Sequence, residues 1–251
     1  MATVDLHRQG SIAVITLNNT GKRNAMTDDM WRRIPALMRG LDADPEVAVV
    51  VLTGAGGTFC AGSDIGGLDE LHHAEGPINA ELALARSPKP VIAAIEGACF
   101  GGGLELAVGC DLRVAGDSAT FSVPPATLGI VYPVSATQRM IHLMGPAVTK
   151  EMLFTAARLD AQRALSVGLL NAVVEGGRAL ETAIGMGERM ARLSQLTLRA
   201  SKEIVDGLVG RDLGAETAIS WVQRANSGPD LPEGIAAFRE RRPARFTWRP
   251  E

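Results

Sequence analysis

The chain has 251 residues, 46% hydrophobic and 21% charged, a balance that suits a globular protein with a large core and excludes a disordered one. Its formal net charge of -3 supplies no broad basic field, which argues against nucleic acid as the main partner. Cys60, Cys99 and Cys110 are too few and too unevenly spaced for a disulfide framework, and no CxxC or paired-histidine spacing suggests a metal, so a reducing cytoplasm is the expected setting.

The opening MATVDLHRQG carries charge and lacks the apolar stretch of a signal peptide; no later apolar run reaches membrane-spanning length. Thr3–Arg8, a Gln9-Gly10 turn and the run Ile12–Leu17 predict a hairpin. Thr27 is placed as an N-cap with Asp28 and Asp29 behind it, and Met30, Ile34, Leu37, Met38 and Leu41 repeat at helical spacing. Pro35 inside that pattern predicts a local kink. Val47–Thr53 reads as a buried strand entering the loop GAGGTFCAGSDIGG, and Val91–Ile95 as a second strand entering GGGLELAVGC, a glycine turn into a helix. Leu112–Ala115 and Ala119–Val123 read as short strands. Strands alternating with helices indicate an α/β core. From about Ala147 the pattern is helical, with only Leu170–Val174 extended, and a boundary falls near Leu193.

Two segments share one design, an apolar strand, a glycine-rich turn and then a helix: VVVLTGAGGTFCAGSD and VIAAIEGACFGGGLE. Such turns can aim backbone N–H groups into a cavity, and the following helix adds positive potential. Two turns aimed at one point would form a hole for a negative oxygen. Tight strand–helix packing is the alternative reading of either loop alone. Neither GAGGTF nor FGGGLE completes a P-loop or a dinucleotide fingerprint.

LTGAGGTFCAGSDIGGL followed by KPVIAAIEGACFGGGLELAVGCDLRVA resembles the paired signature of the enoyl-CoA hydratase/isomerase (crotonase) family. The likeness continues through FSVPPATLGIVYP and KEMLFTAARLDAQRALSVGLLNAVV to PEGIAAFRERRPARF, nearly the whole chain. The resemblance implies an α/β fold, a crotonase-like ββα spiral over residues 1–193, with a helical C-terminal trimerisation region over 194–251. It further implies homotrimers or homohexamers and a CoA thioester as substrate, with CoA entering as part of that substrate and no separate cofactor.

By the same comparison, the N–H groups of an oxyanion hole fall on Ser63 and Gly102. Glu105 matches the first of the two glutamates that work on water in the family's hydratases; its alternative is a capping glutamate in the first helical turn. Pro125 stands where those hydratases usually carry the second, so a two-glutamate mechanism does not transfer intact. Tyr132, in LGIVYP, is similar to the LG-x-x-Y arrangement of the family's methylmalonyl-CoA decarboxylase branch, although that branch has histidine in place of Ser63. A phenol there could donate to a substrate carboxylate, or simply pack at a turn. Lys22 and Arg23 match a loop that attracts the CoA phosphates, Ala25 and Ala61 would flank adenine and pantetheine, and Phe238 and Arg241 resemble terminal-helix contacts to CoA. FRERRPARF could equally be a solvated face.

His7, His72, His73 and His142 have no partner at recognisable spacing and are assigned no chemistry, Asp64 could cap a following helix, and the cysteines read as small packing residues. Three functions follow: an enoyl-CoA hydratase-like lyase using Glu105, a decarboxylase of a malonyl-type thioester using Tyr132, and a catalytically weak acyl-CoA-binding homologue.

Overall fold

The structure, a computed structural model, describes residues 2–64, 66, 75–210 and 212–249. The predicted hairpin forms: β1 (Thr3–Gln9) runs antiparallel to β2 (Ile12–Asn18), with Leu6 opposite Ile15. β1 is exposed apart from Val4, whereas β2 is largely buried, so the hairpin edge shields the sheet behind it. Thr27 caps α1 (Asp28–Ala43) by accepting from the Met30 amide, and its apolar stripe from Met30 to Leu41 faces the core. The helix continues through Pro35.

β3 (Val49–Gly54) adds to β2 in parallel. α2 (Glu75–Ala85) was not legible as a helix, because its apolar residues surround it rather than form a stripe. β4 (Val91–Ile95) follows, and at Glu96-Gly97 the chain turns out of the large sheet into β5 (Ala98–Phe100). α3 (Gly102–Gly109) then returns it to β6 (Leu112–Gly116), which turns into β7 (Thr120–Ser122). This strand–strand–helix repeat builds two sheets at once. Among the described residues the large one has the order β1-β2-β3-β4-β6 and then β9 (Ala172–Val174), while the small one joins β5, β7 and β8 (Leu159–Asp160). β8 has only two residues and carries no sequence signal of its own.

Short α4 (Pro125–Leu128) leads to α5 (Val134–Thr155), which breaks at Gly145, where φ is 75°. α6 (Ala161–Ser166) is capped by Asp160. α7 (Ala179–Ala191) lies on one face of the large sheet against Ile12, Val49, Val51, Ile92 and Val114. The opposite face meets α1, α2 and α3 around Leu52, Phe59, Ile95 and Leu104, all fully buried. Each such side chain contributes about 1.5–3 kcal/mol of transfer free energy. α8 (Gln195–Gly210), α9 (Ala215–Ser227) and α10 (Asp230–Glu240) complete the chain with far fewer buried residues.

Candidate active site

Three stretches of main chain are laced side by side where β3 and β4 end. The Met26 amide donates to Gly62 O and the Asp64 amide to Met26 O, both at 2.8 Å, and the Ala61 amide donates to Arg23 O at 3.0 Å. On the other side, the Cys60 amide donates to Ala98 O and the Phe100 amide to Cys60 O, both at 2.9 Å. In the parallel bridge between Met26 and Ser63, the flanking residues Gly62 and Asp64 supply the bonds, so the Ser63 N–H points away from Met26. It donates to no other described residue. The Gly102 N–H opens α3 and likewise has no partner among them, as expected of a first-turn amide. The two corners touch: a side chain at Gly62 would come within 3.8 Å of Gly102 N, and one at Gly102 within 3.5 Å of Ser63 Oγ.

The glycine run is what allows this approach. Gly101 has φ 50° and ψ -116°, a conformation closed to residues with a Cβ. A Cβ on Gly102 would stand 2.8 Å from Trp31 Cζ2, and one on Gly103 would stand 2.5 Å from Cys60 O. Ser63 and Gly102 remain half-buried. Together they offer two free N–H groups at the positive end of a helix, a setting that favours a partly negative oxygen.

Glu105 lies in the first turn of α3 and is buried, with its Oε1 accepting no hydrogen bond among the described residues. Burial, and then the charge of Glu81, push its carboxyl up to about 8. Tyr132 is buried too, and its hydroxyl donates at 3.0 Å to the Gly101 carbonyl, which also accepts from the Glu105 amide at 3.1 Å. Its one proton is therefore engaged by the main chain. Pro125 is buried at the start of α4, where its carbonyl accepts from the Gly129 and Ile130 amides.

The loop with Lys22, Arg23 and Ala25 is drawn to Ala61 and Ser63 by the lacing described above. Lys22 does not stand free: its Nζ pairs with Asp64 Oδ2 at 2.6 Å, and this bond lowers the Asp64 carboxyl below its usual range. Asp64 also accepts from the Gly66 amide at 3.3 Å, a local turn. Phe238 sits near the end of α10, strongly exposed, in a groove of about 400 Å³ shared with Leu196, Ile235 and Phe246; Lys22, Arg23, Ala25 and Ala61 take no part in it. Arg241 caps α10 with φ 53°. His7 and His142 are exposed, whereas His72 and His73 fall outside the described residues.

Sequence reasoning missed Trp31, Glu81 and Arg139. Trp31 lies outside the helical stripe read from the sequence, yet its indole edge is the floor beneath Gly102. Glu81 is fully buried on α2 and accepts from Arg139 Nε of α5. A carboxylate inside the alanine- and leucine-rich run AELALA was the available signal, since a charge on a helix apolar all round must be buried.

The sequence pattern of the enoyl-CoA hydratase/isomerase family matches residues 7–249. The chain is 33% identical over 250 residues to a short-chain-enoyl-CoA hydratase of Clostridium acetobutylicum, covering 95% of each. It is also similar to the crystal structure of an enoyl-CoA hydratase/isomerase family protein from Hyphomonas neptunium, with 40% identity, a TM-score of 0.92 and 98% of each chain covered. An enoyl-CoA hydratase structure from Mycobacterium tuberculosis superposes with a TM-score of 0.89 at 32% identity, over 97% of this chain and 98% of that one. With two sheets turning about the same glycine corners and this likeness along its whole length, the chain belongs to the enoyl-CoA hydratase/isomerase family.

Proposed function

We propose that the protein adds water across the double bond of a short-chain enoyl-CoA thioester, with Glu105 as its acid–base group. The observation that carries this reading is a buried carboxyl with an unpartnered oxygen, three residues beyond the free Gly102 amide on the same helix. The hydratase names of similar proteins, among them a crotonyl-CoA hydratase of Syntrophomonas wolfei at 32% identity over 250 residues, point to the same reaction.

In this mechanism the thioester oxygen accepts from the Ser63 and Gly102 amides. Ionised Glu105 takes a proton from water as the oxygen of that water bonds to the β carbon, and the π electrons move onto the thioester oxygen. Each preorganised donor stabilises that charge by about 2.7–4 kcal/mol. Glu105, now protonated, returns the proton to the α carbon as the carbonyl re-forms. One carboxyl thus performs both transfers, and Pro125 need supply none. Lys22 and Arg23 would meet the CoA phosphates, with Ala25 and Ala61 along its length. The exposed apolar ring of Phe238 suits burial against a neighbouring subunit of a trimer, with Arg241 beside it.

The test is hydration of crotonyl-CoA, followed by loss of the conjugated thioester absorbance, alongside double-bond shift and CO2 release from methylmalonyl-CoA. Hydration that disappears in Glu105→Gln supports the reading. CO2 release without hydration would replace it with the decarboxylase reading, and CoA thioester binding without any turnover would replace it with the binding one.

A further inference from the structure

Two buried side-chain oxygens stand without hydrogen-bond partners among the described residues: Glu105 Oε1 and Glu81 Oε2. They belong to neighbouring elements. Glu81 Cγ lies 3.2 Å from where a Cβ of Gly109 would be, and Gly109 is one helical turn beyond Glu105 on the same face of α3. The bare backbone of Gly109 thus makes room for a second carboxylate behind the first. The other oxygen of Glu81 accepts from Arg139 Nε, which balances its charge.

Native proteins rarely leave a buried polar oxygen unpaired, and two carboxylates in one buried place cannot both ionise cheaply. A proton on Glu105 relieves the repulsion, because Glu81 has the Arg139 guanidinium as a donor beside it and Glu105 has no such donor among the described residues. Among the described residues Tyr132, ahead of α5, also feels the charge of Glu105, with the thiols of Cys60 and Cys99 near it; burial raises all three and holds them neutral.

We propose that Glu81, anchored by Arg139, is a positioning residue that adds to burial in keeping a proton on Glu105 in the free enzyme and so raises the lowest pH at which Glu105 can serve as base. This rests on the acid–base reading of Glu105 above. The site's second carboxylate then lies behind the reacting one on α2, rather than across the substrate at Pro125.

The experiment is the pH profile of kcat/KM for crotonyl-CoA hydration in wild type, Glu81→Gln and Glu81→Asp. Removing the charge in Glu81→Gln moves the midpoint down by about one unit, so turnover at pH 6 rises roughly tenfold over wild type while the plateau at pH 9 is nearly unchanged. Glu81→Asp retains the charge and brings the midpoint back toward that of wild type. A merely structural role predicts instead a uniform loss at every pH, and that result, or an unmoved midpoint in Glu81→Gln, overturns the proposal. Should Glu81→Gln not fold, pH-difference infrared spectroscopy of wild type decides: a protonated buried carboxyl must vanish through pH about 8, and no such band overturns the proposal. If Glu105→Gln keeps its turnover, the acid–base reading has failed. If it is inactive while Glu81→Gln keeps the wild-type midpoint, only the role of Glu81 has.

Discussion

The hydroxyl of Tyr132 donates at 3.0 Å to the carbonyl oxygen of Gly101, and that same peptide unit carries the N–H of Gly102. A peptide plane is rigid, so a bond on its carbonyl side fixes the direction of the amide on the other. In the proposed mechanism Tyr132 therefore acts from behind the main chain. Tyr132→Phe removes about 1 kcal/mol of hydrogen bonding, which should lower kcat for hydration roughly fivefold with little change in KM. Steady-state kinetics check this; a rise in KM with unchanged kcat would instead place the phenol on the substrate.

Replacing Glu105 by Gln should cost about 10²–10⁴-fold in kcat with the fold intact. In wild type, because burial holds the carboxyl protonated up to about 8, kcat/KM should rise with pH and level off above that value. A stopped-flow profile between pH 5.5 and 9.5 tests it, and a rate that falls as pH increases over this range would contradict a base role.

The same group makes a stability prediction of opposite sign. Its folded value lies above its unfolded one, so its contribution to stability is complete below the ordinary carboxyl range and is lost as pH rises toward about 8. Glu105→Gln should therefore be more stable than wild type at pH 8, by on the order of a few kcal/mol, and no more stable at pH 4. Thermal melts at the two values measure the difference. An enzyme that gains stability when it loses activity is what a strained functional carboxyl predicts.

Alanine at Gly102 and at Gly103 should fail in different ways. At Gly103 the new methyl meets the Cys60 carbonyl, main chain that cannot step aside, so the fold should lose about 1–3 kcal/mol. At Gly102 it meets the edge of the Trp31 ring. There kcat/KM should fall about 100-fold with a smaller loss of stability, and Trp31→Leu in the same chain should restore part of the rate. Denaturation and kinetics on the three variants separate the cases.

Much of the frame was legible because its signals are local. The β-branched runs before Gly54 and Glu96 announced β3 and β4, and Thr27 marked the start of α1 where the structure has it. The free amides at Ser63 and Gly102 were placed by motif comparison, but their freedom depends on which partners Met26 and Phe100 take, which no local pattern encodes. The partner that Tyr132 takes, a backbone carbonyl 31 residues away, leaves no mark in composition. Glu81 escaped for a related reason: its significance lies in Gly109 having no side chain, a fact about two helices packed together. Short β8 owes its form to the strand beside it rather than to its own residues.

The ladder that joins Met26, Gly62, Asp64, Cys60 and Ala98 is made of main-chain atoms alone. Exchanging the side chain at position 63 should consequently be cheap, since every amino acid but proline presents the same amide there. A library randomised at that position ought to retain many active members, while one randomised at Gly101, Gly102 or Gly103 ought to retain almost none. Diversification of reaction type on this scaffold would then proceed by swapping what surrounds the two amides, leaving their spacing untouched.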